Sequence, residues 1–332
     1  MKAPDQLRAA VVGGSGFTGA LLAELLLRHP SLRLTSVSSD SLSGTLVRSA
    51  LPRVRAGELC FCRHDEVRGV EAAFVCLPDH AAAPIVRRLL DEGTRVVDLS
   101  PDFRLSAEQY EEWYGAHPYP EMLPGTYGLT ELHRDEIRAA RLVANPGCYP
   151  TAALLALEPL KTLGLLDVCV DAKSGVSGAG KAANERTHFC TVDSDLVAYG
   201  VQGHRHYPEL AAGLAEAGGG PSLVFIPHLA PLQRGITESI YVRVRDLPSA
   251  EALRELYEKA YRDEAFVDVC DAPPHLADVR DTNRCRIHAT VEERSGRILV
   301  FVVIDNLMKG ACGQALQNMN LMLGLAEEEG LT

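Results

Sequence analysis

Cys148 is the residue of this chain whose neighbours best suit a nucleophile. It lies in the run NPGCYPT, residues 145–151, ahead of an apolar helical stretch. Pro146 and Gly147 disfavour a helix and Pro150 suits a first helical turn, so the run predicts a turn that leads into a helix. The unpaired N–H groups at a helix N-terminus favour a thiolate and can receive an oxyanion. The run therefore predicts a catalytic cysteine, with a small buried capping residue as the alternative.

A histidine-rich segment offers the general base that a catalytic thiol requires. The run GHRHYPE, residues 203–209, places His204 and His206 on either side of Arg205. If the segment is extended, alternation puts both imidazoles on one face, and an imidazole exchanges protons near neutral pH. We expect one of the two to be the acid/base, and the sequence does not decide which. A metal site is not expected, because no third ligand has convincing spacing.

The start of the chain has the pattern of a nucleotide-binding unit. Apolar residues 7–12 predict a strand, the run GGSGFTG at 13–19 predicts a glycine-rich turn, and residues 20–28 predict a helix. In this variant of the dinucleotide fingerprint the backbone approaches a pyrophosphate, which lies on the helix N-terminus. The turn residues expected at the cofactor are Gly13, Gly14, Ser15, Gly16, Phe17, Thr18 and Gly19.

The end of the second predicted strand bears on which nicotinamide cofactor is used. Residues 32–37 are followed by Ser38 and Ser39, whose hydroxyls can donate to the 2′-phosphate of NADP. An acidic residue at this place usually bonds the ribose hydroxyls of NAD. Asp40 stands close by and weakens the preference for NADP. Arg48 is a candidate phosphate partner, with a solvated loop position as the alternative.

Two further apolar runs, at 72–77 and 95–99, predict strands of a parallel sheet. Ligands bind at the carboxyl ends of parallel strands, so the residues that end or follow each run should face a cofactor or substrate. For Arg104 an internal ion pair with Asp102 is the alternative. The residues expected at the cofactor are Cys76, Leu77 and Pro78, and those expected at the substrate are Ser100 and Arg104.

The pattern changes after Cys148. The run KSGVSGAGK at 173–181 is a predicted loop whose hydroxyls, backbone amides and lysines suit an anion, with a mobile linker as the alternative. Later runs predict strands in a mixed, antiparallel-looking region, and a hairpin is expected around Ser295 and Gly296. These strands are predicted at 223–229, 239–244, 286–292 and 298–305.

The predicted fold class is α/β, with an N-terminal Rossmann-type parallel sheet followed by an α+β catalytic domain. We expect residues 1–147 to form the NADP-binding domain. Residues 148–305 should form the catalytic, substrate and oligomerisation domain. A C-terminal helix within 306–332 should pack back on the first domain and complete it.

Composition and charge exclude several classes of protein. The 332 residues suffice for two domains, and a net charge of −11 with scattered Lys and Arg argues against nucleic-acid binding. Nothing at the N-terminus resembles a signal peptide, and no apolar run is long enough to cross a bilayer. The nine cysteines form no CxxC pair and predict reduced thiols. We therefore expect a cytoplasmic protein that binds neither membrane nor nucleic acid.

A nucleotide fold, a helix-capping cysteine and a histidine-rich segment together suggest one type of reaction. The thiolate attacks an acyl phosphate, phosphate leaves, and hydride from a nicotinamide reduces the thioester to an aldehyde. A histidine takes the thiol proton and later protonates the hemithioacetal oxygen. These features predict an NADP-dependent acyl-phosphate reductase.

Several motifs together resemble those of the N-acetyl-gamma-glutamyl-phosphate reductases, over essentially the whole chain. The resemblance implies NADPH-dependent reduction of N-acetyl-glutamyl 5-phosphate to the 5-semialdehyde, a step of arginine biosynthesis. It also implies a glyceraldehyde-phosphate-dehydrogenase-like catalytic domain and a homo-oligomer, a tetramer or dimer. The motifs are DLSPDFR at 98–104, NPGCYPT at 145–151, SGVSGAG at 174–180, GHRHYPE at 203–209, PHLAP at 227–231, RG at 234–235, and DNL at 305–307 on to Asn318.

The resemblance also assigns roles to single residues. Cys148 is the implied nucleophile, and His204 or His206 the implied acid/base. Asp40 stands where the family often has an Arg, which weakens the preference for NADP. Further residues expected at the cofactor are Ser38, Ser39, Ser177, Gly178 and Asn306, and further residues expected at the substrate are Asn145, Ser174, Gly175 and Arg205.

The same motifs are compatible with other functions. A close relative acts in lysine biosynthesis on an aminoadipyl phosphate bound to an acidic carrier protein. Aspartate-semialdehyde dehydrogenase shares the chemistry but matches the His-Arg-His segment less well. A non-catalytic NADP-binding regulatory protein is an alternative of another class, and a Cys-His hydrolase leaves the glycine-rich turn unused.

Overall fold

The structure is a computed structural model that describes residues 6–182, 184–215 and 219–331. Within these residues the chain forms two units, the first comprising the chain up to Pro146 and again from Ala311, and the second Gly147–Gly310. The division expected from the sequence has its boundaries at 147/148 and 305/306. No helix of the described residues is long and apolar enough to cross a membrane.

Short runs of small and branched apolar residues build the sheet of the first unit, and residues Ala9 to Val12 at its centre are fully buried. Its strands are β1 (Leu7–Val12), β2 (Leu32–Ser38), β3 (Phe61–Cys62), β4 (Ala72–Val75), β5 (Arg95–Asp98), β6 (Thr126–Tyr127) and β7 (Leu142–Ala144). In the described residues the strand order is β3-β2-β1-β4-β5-β7-β6, with every pair parallel. The predicted parallel sheet is confirmed.

Helices connect these strands, as a parallel sheet requires. They are α1 (Phe17–Leu26), α2 (Val47–Ala50), α3 (Ala82–Asp91), α4 (Ala107–Tyr114) and α5 (Thr130–Ala139). The first helix begins three residues earlier than the sequence predicts, because the extended backbone of Gly16 caps it directly. Phe17, Thr18 and Gly19 therefore form the first helical turn.

The second unit contains a mixed sheet, as the sequence predicts. Its strands are β8 (Leu165–Ser174), β9 (Val197–Ala198), β10 (Ser222–Leu229), β11 (Ile236–Val244), β12 (Val267–Val269), β13 (Cys285–Glu292) and β14 (Arg297–Ile304). Their order in the described residues is β12-β13-β14-β11-β8-β10-β9. Strand β8 alternates, so that Val168, Val170, Ala172 and Ser174 are buried on one face.

The buried face of this sheet packs against the helix that begins at Cys148. The helices of the second unit are α6 (Cys148–Leu157), α7 (Phe189–Val192), α8 (Tyr207–Gly213) and α9 (Ala250–Tyr261). Helix α6 packs on β11 and β14. It ends at Leu157, because Pro159 has no N–H to donate to the next helical turn and a 3₁₀ segment follows.

The chain returns to the first unit after a π-helical turn at Met308–Cys312. Helix α10 (Gly313–Met322) then packs on α5 and β5. Every residue of α10 is buried, including Asn318, whose amide donates to the Gly128 carbonyl at 2.8 Å. Burial of a polar residue is tolerated here because its hydrogen bonds are made.

Candidate active site

Cys148 is the first residue of helix α6, and Gly147 is the N-cap. The Thr151 N–H and hydroxyl both donate to the Gly147 carbonyl, at 2.9 and 3.0 Å, which closes the first turn. Pro150 has no N–H, so Cys148 and Tyr149 carry the backbone donors of that turn. A Cβ at Gly310 would lie 2.8 Å from Cys148 Cβ, so only glycine leaves room there. The predicted turn into a helix is confirmed.

The imidazole of His206 lies against the peptide that precedes Cys148. A Cβ built on Gly147 would be 2.6 Å from His206 Nε2, which means that the ring occupies the place of a side chain. The Gly147 N–H donates to Glu209 Oε2 at 2.9 Å, and Glu209 is buried. The structure thus brings His206, Glu209 and the start of the cysteine helix together within the second unit.

The segment that carries His204 and His206 is not extended, which was the condition for alternation to place both rings on one face. The chain turns at 201–206, and His206 is the N-cap of helix α8. This turn is held by the backbone N–H of His206, which donates to Nδ1 of His204 at 3.1 Å. The two rings nevertheless meet, with centroids 5.0 Å apart.

His204 is enclosed by aromatic rings. Burial lowers its pKa to about 4, so its imidazole is neutral at physiological pH. With Nδ1 accepting a backbone N–H, the ring carries its proton on Nε2. The ring centroids of three aromatic residues lie 5.3 to 5.7 Å from that of His204: Phe225 at 5.3 Å, Tyr199 at 5.5 Å and Tyr149 at 5.7 Å. Tyr149 also meets His206, at 5.8 Å.

A cavity of about 310 Å³ opens beside Cys148 in the second unit. Of the predicted residues, Ser174, Gly178 and Arg205 line it together with both histidines, whereas Gly175 and Ser177 do not. Sequence reasoning did not assign the two tyrosines of its wall. The lining residues are Cys148, Tyr149, Ser174, Gly178, Tyr199, Gly200, Gly203, His204, Arg205 and His206.

The amides of the glycine-rich loop after β8, which the sequence suggested for an anion, are hydrogen-bonded to residues 232–235 or within the loop. The backbone N–H groups of Gly175, Val176, Ser177 and Gly178 donate to carbonyls at 2.8 to 3.2 Å. Asn306 also holds the loop, donating to Ser177 Oγ at 3.0 Å and accepting the Gly235 N–H at 2.6 Å. Amides committed in this way are not available to a ligand.

The turn of the first unit is shaped like a pyrophosphate cradle. Gly13 has φ +83°, and a Cβ at Gly19 would lie 2.3 Å from the Gly13 carbonyl oxygen. A Cβ at Gly16, by contrast, would meet no protein atom closer than 3.9 Å. The three glycines therefore match the tight turn, the close approach of a phosphate and the close packing that the fingerprint requires. A dinucleotide fits this turn.

Residues at the end of β2 are partly committed to other contacts. Ser38 is fully buried and its hydroxyl pairs with His64 Nδ1 at 2.8 Å, while Ser39 Oγ donates to Ser15 Oγ at 3.0 Å. The Asp40 carboxylate accepts the His64 N–H at 2.9 Å, which lowers the pKa of Asp40. Arg48 pairs with Glu58 at 2.9 Å on the surface.

The predicted cofactor residues after β4 lie at the edge of the same turn. The backbone N–H of Cys76 donates to the Val12 carbonyl at 2.8 Å, and a Cβ at Gly13 would lie 2.5 Å from the Cys76 carbonyl oxygen. Burial raises the pKa of the Cys76 thiol well above its usual value. Leu77 and Pro78 continue the chain from this point, outside any strand.

Residues after β5 form a buried polar network that sequence reasoning did not foresee. Ser100 Oγ donates to Asp98 Oδ2 at 2.6 Å and accepts the Asp102 N–H at 3.1 Å. Burial raises the pKa of Asp98 to about 7. Arg104 donates to the Leu99 carbonyl at 2.8 Å.

Asn145, which was expected at the substrate, is buried in the first unit. Its side-chain amide donates to the Ala311 carbonyl at 3.3 Å, and its oxygen accepts from Asn318 Nδ2 at 3.1 Å. The asparagine therefore joins the end of β7 to the returning chain. In the described residues, no group of three or more His, Cys, Asp or Glu side chains is placed to hold a metal ion.

Two family models match most of the chain. Residues 8–140 match the model described as semialdehyde dehydrogenase, NAD binding domain, and residues 148–306 match the model described as semialdehyde dehydrogenase, dimerisation domain. Together they support a nicotinamide cofactor for the first unit.

Curated relatives of high similarity carry one name. N-acetyl-gamma-glutamyl-phosphate reductases from Alkalilimnicola ehrlichii and Pseudomonas aeruginosa are 46% and 44% identical, each over 98% of this chain and 98% of their own length. The reductase of that name from Dehalococcoides mccartyi is 44% identical over 98% of this chain and 97% of its own.

Solved structures share the fold at low sequence identity. Aspartate semialdehyde dehydrogenase II from Vibrio cholerae, complexed with ASA, has a TM-score of 0.74 and 18% identity, over 97% of this chain and 99% of that chain. Aspartate semialdehyde dehydrogenase with NADP from Candida albicans has a TM-score of 0.69 and 16% identity, over 98% and 99%. The predicted fold class is confirmed.

Proposed function

This chain belongs to the N-acetyl-gamma-glutamyl-phosphate reductase family of semialdehyde dehydrogenases, and from that premise we propose that it makes N-acetyl-glutamate 5-semialdehyde. The substrate is N-acetyl-glutamyl 5-phosphate, the reductant is NADPH, and phosphate is released, as in arginine biosynthesis in the cytoplasm. The observation that carries the proposal is the His206 imidazole, packed against Gly147 directly before Cys148.

The nucleotide site proposed for the first unit is the turn at 13–19, with its pyrophosphate at the N-terminus of α1. When bound there, the nicotinamide supplies the hydride for reduction. We favour NADP because the Asp40 carboxylate already accepts the His64 N–H, while Ser39 and Ser15 keep hydroxyls beside the turn. Ser177 and Asn306 support the loop of the second unit by bonding to each other.

In the proposed mechanism Cys148 attacks the acyl carbon and forms a thioester as the bond to phosphate breaks. The first-turn N–H groups of Cys148 and Tyr149 are the donors that suit the oxyanion. His206 takes the thiol proton before attack and returns a proton when the hemithioacetal collapses to the aldehyde. Glu209 holds the Gly147 peptide against which this imidazole rests.

His206 rather than His204 is the proposed acid/base. A base with a pKa near 4 is protonated only weakly at neutral pH, whereas efficient proton transfer requires a pKa near the working pH. His204 instead holds the turn that presents His206, by accepting its backbone N–H. We therefore assign His204 as a positioning residue.

The substrate residues we favour are those that line the cavity, Ser174 and Arg205. Arg205 carries a permanent positive charge and suits a carboxylate or phosphate of the substrate. For Ser100 and Asn145 the hydrogen bonds within the first unit favour a role in holding the strand ends. Arg104 donates to the Leu99 carbonyl, and its permanent positive charge keeps it a candidate for an anionic group of the substrate.

A homo-oligomer is proposed from the sheet of the second unit. The face of this sheet opposite α6 leaves Val224 of β10 and Tyr241 of β11 exposed, on either side of β8. An uncovered apolar sheet face commonly marks an interface, and the family model that spans it is described as a dimerisation domain. We propose that a second copy of the chain covers this face.

The proposal is tested by phosphate-dependent reduction of NADP⁺ with purified protein, which runs the reaction in reverse. N-acetyl-glutamate 5-semialdehyde is compared with an aminoadipate semialdehyde linked to an acidic carrier protein. We expect a strong preference for the free acetylated aldehyde. Preference for the carrier-linked aldehyde would move the function to lysine biosynthesis, and no rate with either would favour a non-catalytic NADP-binding protein.

A further inference from the structure

Two phenolic hydroxyls meet in the wall of the cavity beside Cys148. The hydroxyl oxygens of Tyr149 and Tyr199 are 3.1 Å apart, and both residues line the cavity. Tyr149 is only 3% exposed and directly follows the cysteine. Tyr199 follows the short strand β9, and its backbone N–H donates to the Pro227 carbonyl at 3.0 Å. Both hydroxyls are therefore held by regular structure.

The rings packed around this pair are uncharged, whereas Arg205 lines the same cavity and the charge of Arg186 acts on Tyr199. Burial raises the pKa of both tyrosines, so each keeps its proton at physiological pH. Their rings contact His204, which is neutral, and Tyr149 also contacts Phe225 at 5.3 Å. An anion against these rings would lose hydration without a compensating charge from them, whereas a neutral polar group would not, so the anionic groups of a ligand suit the Arg205 side of the cavity.

The hydrogen-bonding capacity of the pair suits a group that both donates and accepts. Each phenol has one donor and acceptor lone pairs, and their mutual bond uses one proton. Ser174, also in the cavity wall, directs its hydroxyl to the Gly175 carbonyl at 3.0 Å and is a hydrogen-bond partner of the Tyr149 side chain. A secondary amide offers one N–H and one carbonyl oxygen. A phosphate or carboxylate only accepts.

We propose that Tyr149 and Tyr199 form a subsite for the acetamido group of the substrate, with the Tyr199 hydroxyl bonded to the amide. The inference rests on the proposed function, in which the substrate is an N-acetylated amino acid. The subsite gives selectivity for the acetylated compound over the same chain without the amide. It places the acetamido group on the aromatic wall and the reacting carbon at Cys148.

The first experiment measures selectivity as a ratio of kcat/KM values in the reverse reaction. The two aldehydes are N-acetyl-glutamate 5-semialdehyde and glutarate 5-semialdehyde, which lacks the acetamido group. Tyr199→Phe and Tyr149→Phe should each lower the ratio about tenfold, since one neutral hydrogen bond is worth roughly this factor. Tyr119→Phe removes a phenol of the first unit, outside the cavity, and should leave the ratio within about twofold. Ratios unchanged in both cavity variants would overturn the subsite.

A binding measurement separates failure of the subsite from failure of the proposed function. Calorimetry compares N-acetyl-glutamate with glutarate, neither of which can react with Cys148. We expect the acetylated compound to bind wild-type protein more tightly, and Tyr199→Phe to remove most of that difference. If neither aldehyde is turned over but this difference is found, the reaction is wrong and the subsite stands. Equal binding of the two compounds by wild-type protein would refute the subsite.

Discussion

His206 and Gly147 share one space: the imidazole Nε2 lies 2.6 Å from where a Cβ on Gly147 would be. The glycine backbone is extended, with φ −66° and ψ 152°, so its conformation is open to any residue. Glycine is required here for room and not for backbone freedom. This contact ties the proposed base to the start of the nucleophile's helix.

Gly147→Ala should therefore displace the imidazole. We expect kcat to fall at least tenfold and the free energy of unfolding to fall by about 1–3 kcal/mol, the usual cost of overpacking a filled site. Steady-state kinetics and urea unfolding provide the measurements. Gly220→Ala is the matched control, because its Cβ would meet the nearest atoms at an ordinary 3.6 Å. Full activity of Gly147→Ala would show that the ring moves freely.

Cys148→Ser should abolish turnover and leave NADP binding largely intact, because the nucleotide turn belongs to the other unit. Iodoacetamide labelling followed by mass spectrometry provides a second test. The exposed Cys60 and Cys190 are the comparison thiols, and Cys148 should react far faster than either near neutral pH. Turnover by Cys148→Ser near the wild-type rate would refute the thioester mechanism.

The two histidines should differ in their response to substitution. His206→Asn should lower kcat by about 10²–10⁴-fold, which is the range for loss of a general acid/base. His204→Asn should cost less, since its amide oxygen can still accept the His206 N–H at the turn. Rates are compared across pH for both variants. Equal and mild losses would leave the reaction without its proposed base.

Substitution of two glycines in the nucleotide turn should affect NADP binding and protein stability differently. Gly16→Ala adds a methyl that meets no protein atom within 3.4 Å, so the protein should fold normally and bind NADP at least tenfold more weakly. Gly19→Ala would place a Cβ 2.3 Å from the Gly13 carbonyl oxygen and should lower thermal stability. Fluorescence titration and thermal unfolding provide the two measurements. Unchanged NADP affinity in Gly16→Ala would place the pyrophosphate elsewhere.

Asp98 should make stability depend on pH. Its pKa is raised from 3.8 in the unfolded chain to about 7 by burial, so the folded state binds the proton more tightly. The stabilisation of the folded state by this bound proton is fully present below pH 4 and is lost as pH rises through 7. Between pH 5 and 8 this amounts to about 3 kcal/mol. Urea unfolding of wild type and Asp98→Asn at pH 5 and pH 8 measures how the free energy of unfolding changes with pH. An equal change in both proteins would contradict the assignment of the pH dependence to Asp98.

Local sequence determined much of this protein. The glycine turn, the strands around it and the helix start at Cys148 follow from short-range rules: φ/ψ preferences, the missing proline N–H and hydrophobic periodicity. These rules act within about seven residues, which is why the element positions were predictable while their ends shifted by a few residues. The motif resemblance to the reductase family is confirmed by the relatives.

Tertiary structure alone decided the relationships between distant segments. Alternation would place both imidazoles on one face of an extended segment, but the segment forms a turn in which His204 packs among Tyr149, Tyr199 and Phe225. The same packing buries His204 and lowers its pKa to about 4. The sequence, in which the two histidines stand two residues apart, does not show this difference in environment. The amides of the loop at 175–178 found acceptors some sixty residues away or in the loop itself, because buried backbone donors must be paired. Candidate catalytic residues can be identified from the sequence. Their burial and their hydrogen-bond partners depend on which distant segments pack around them in the folded protein.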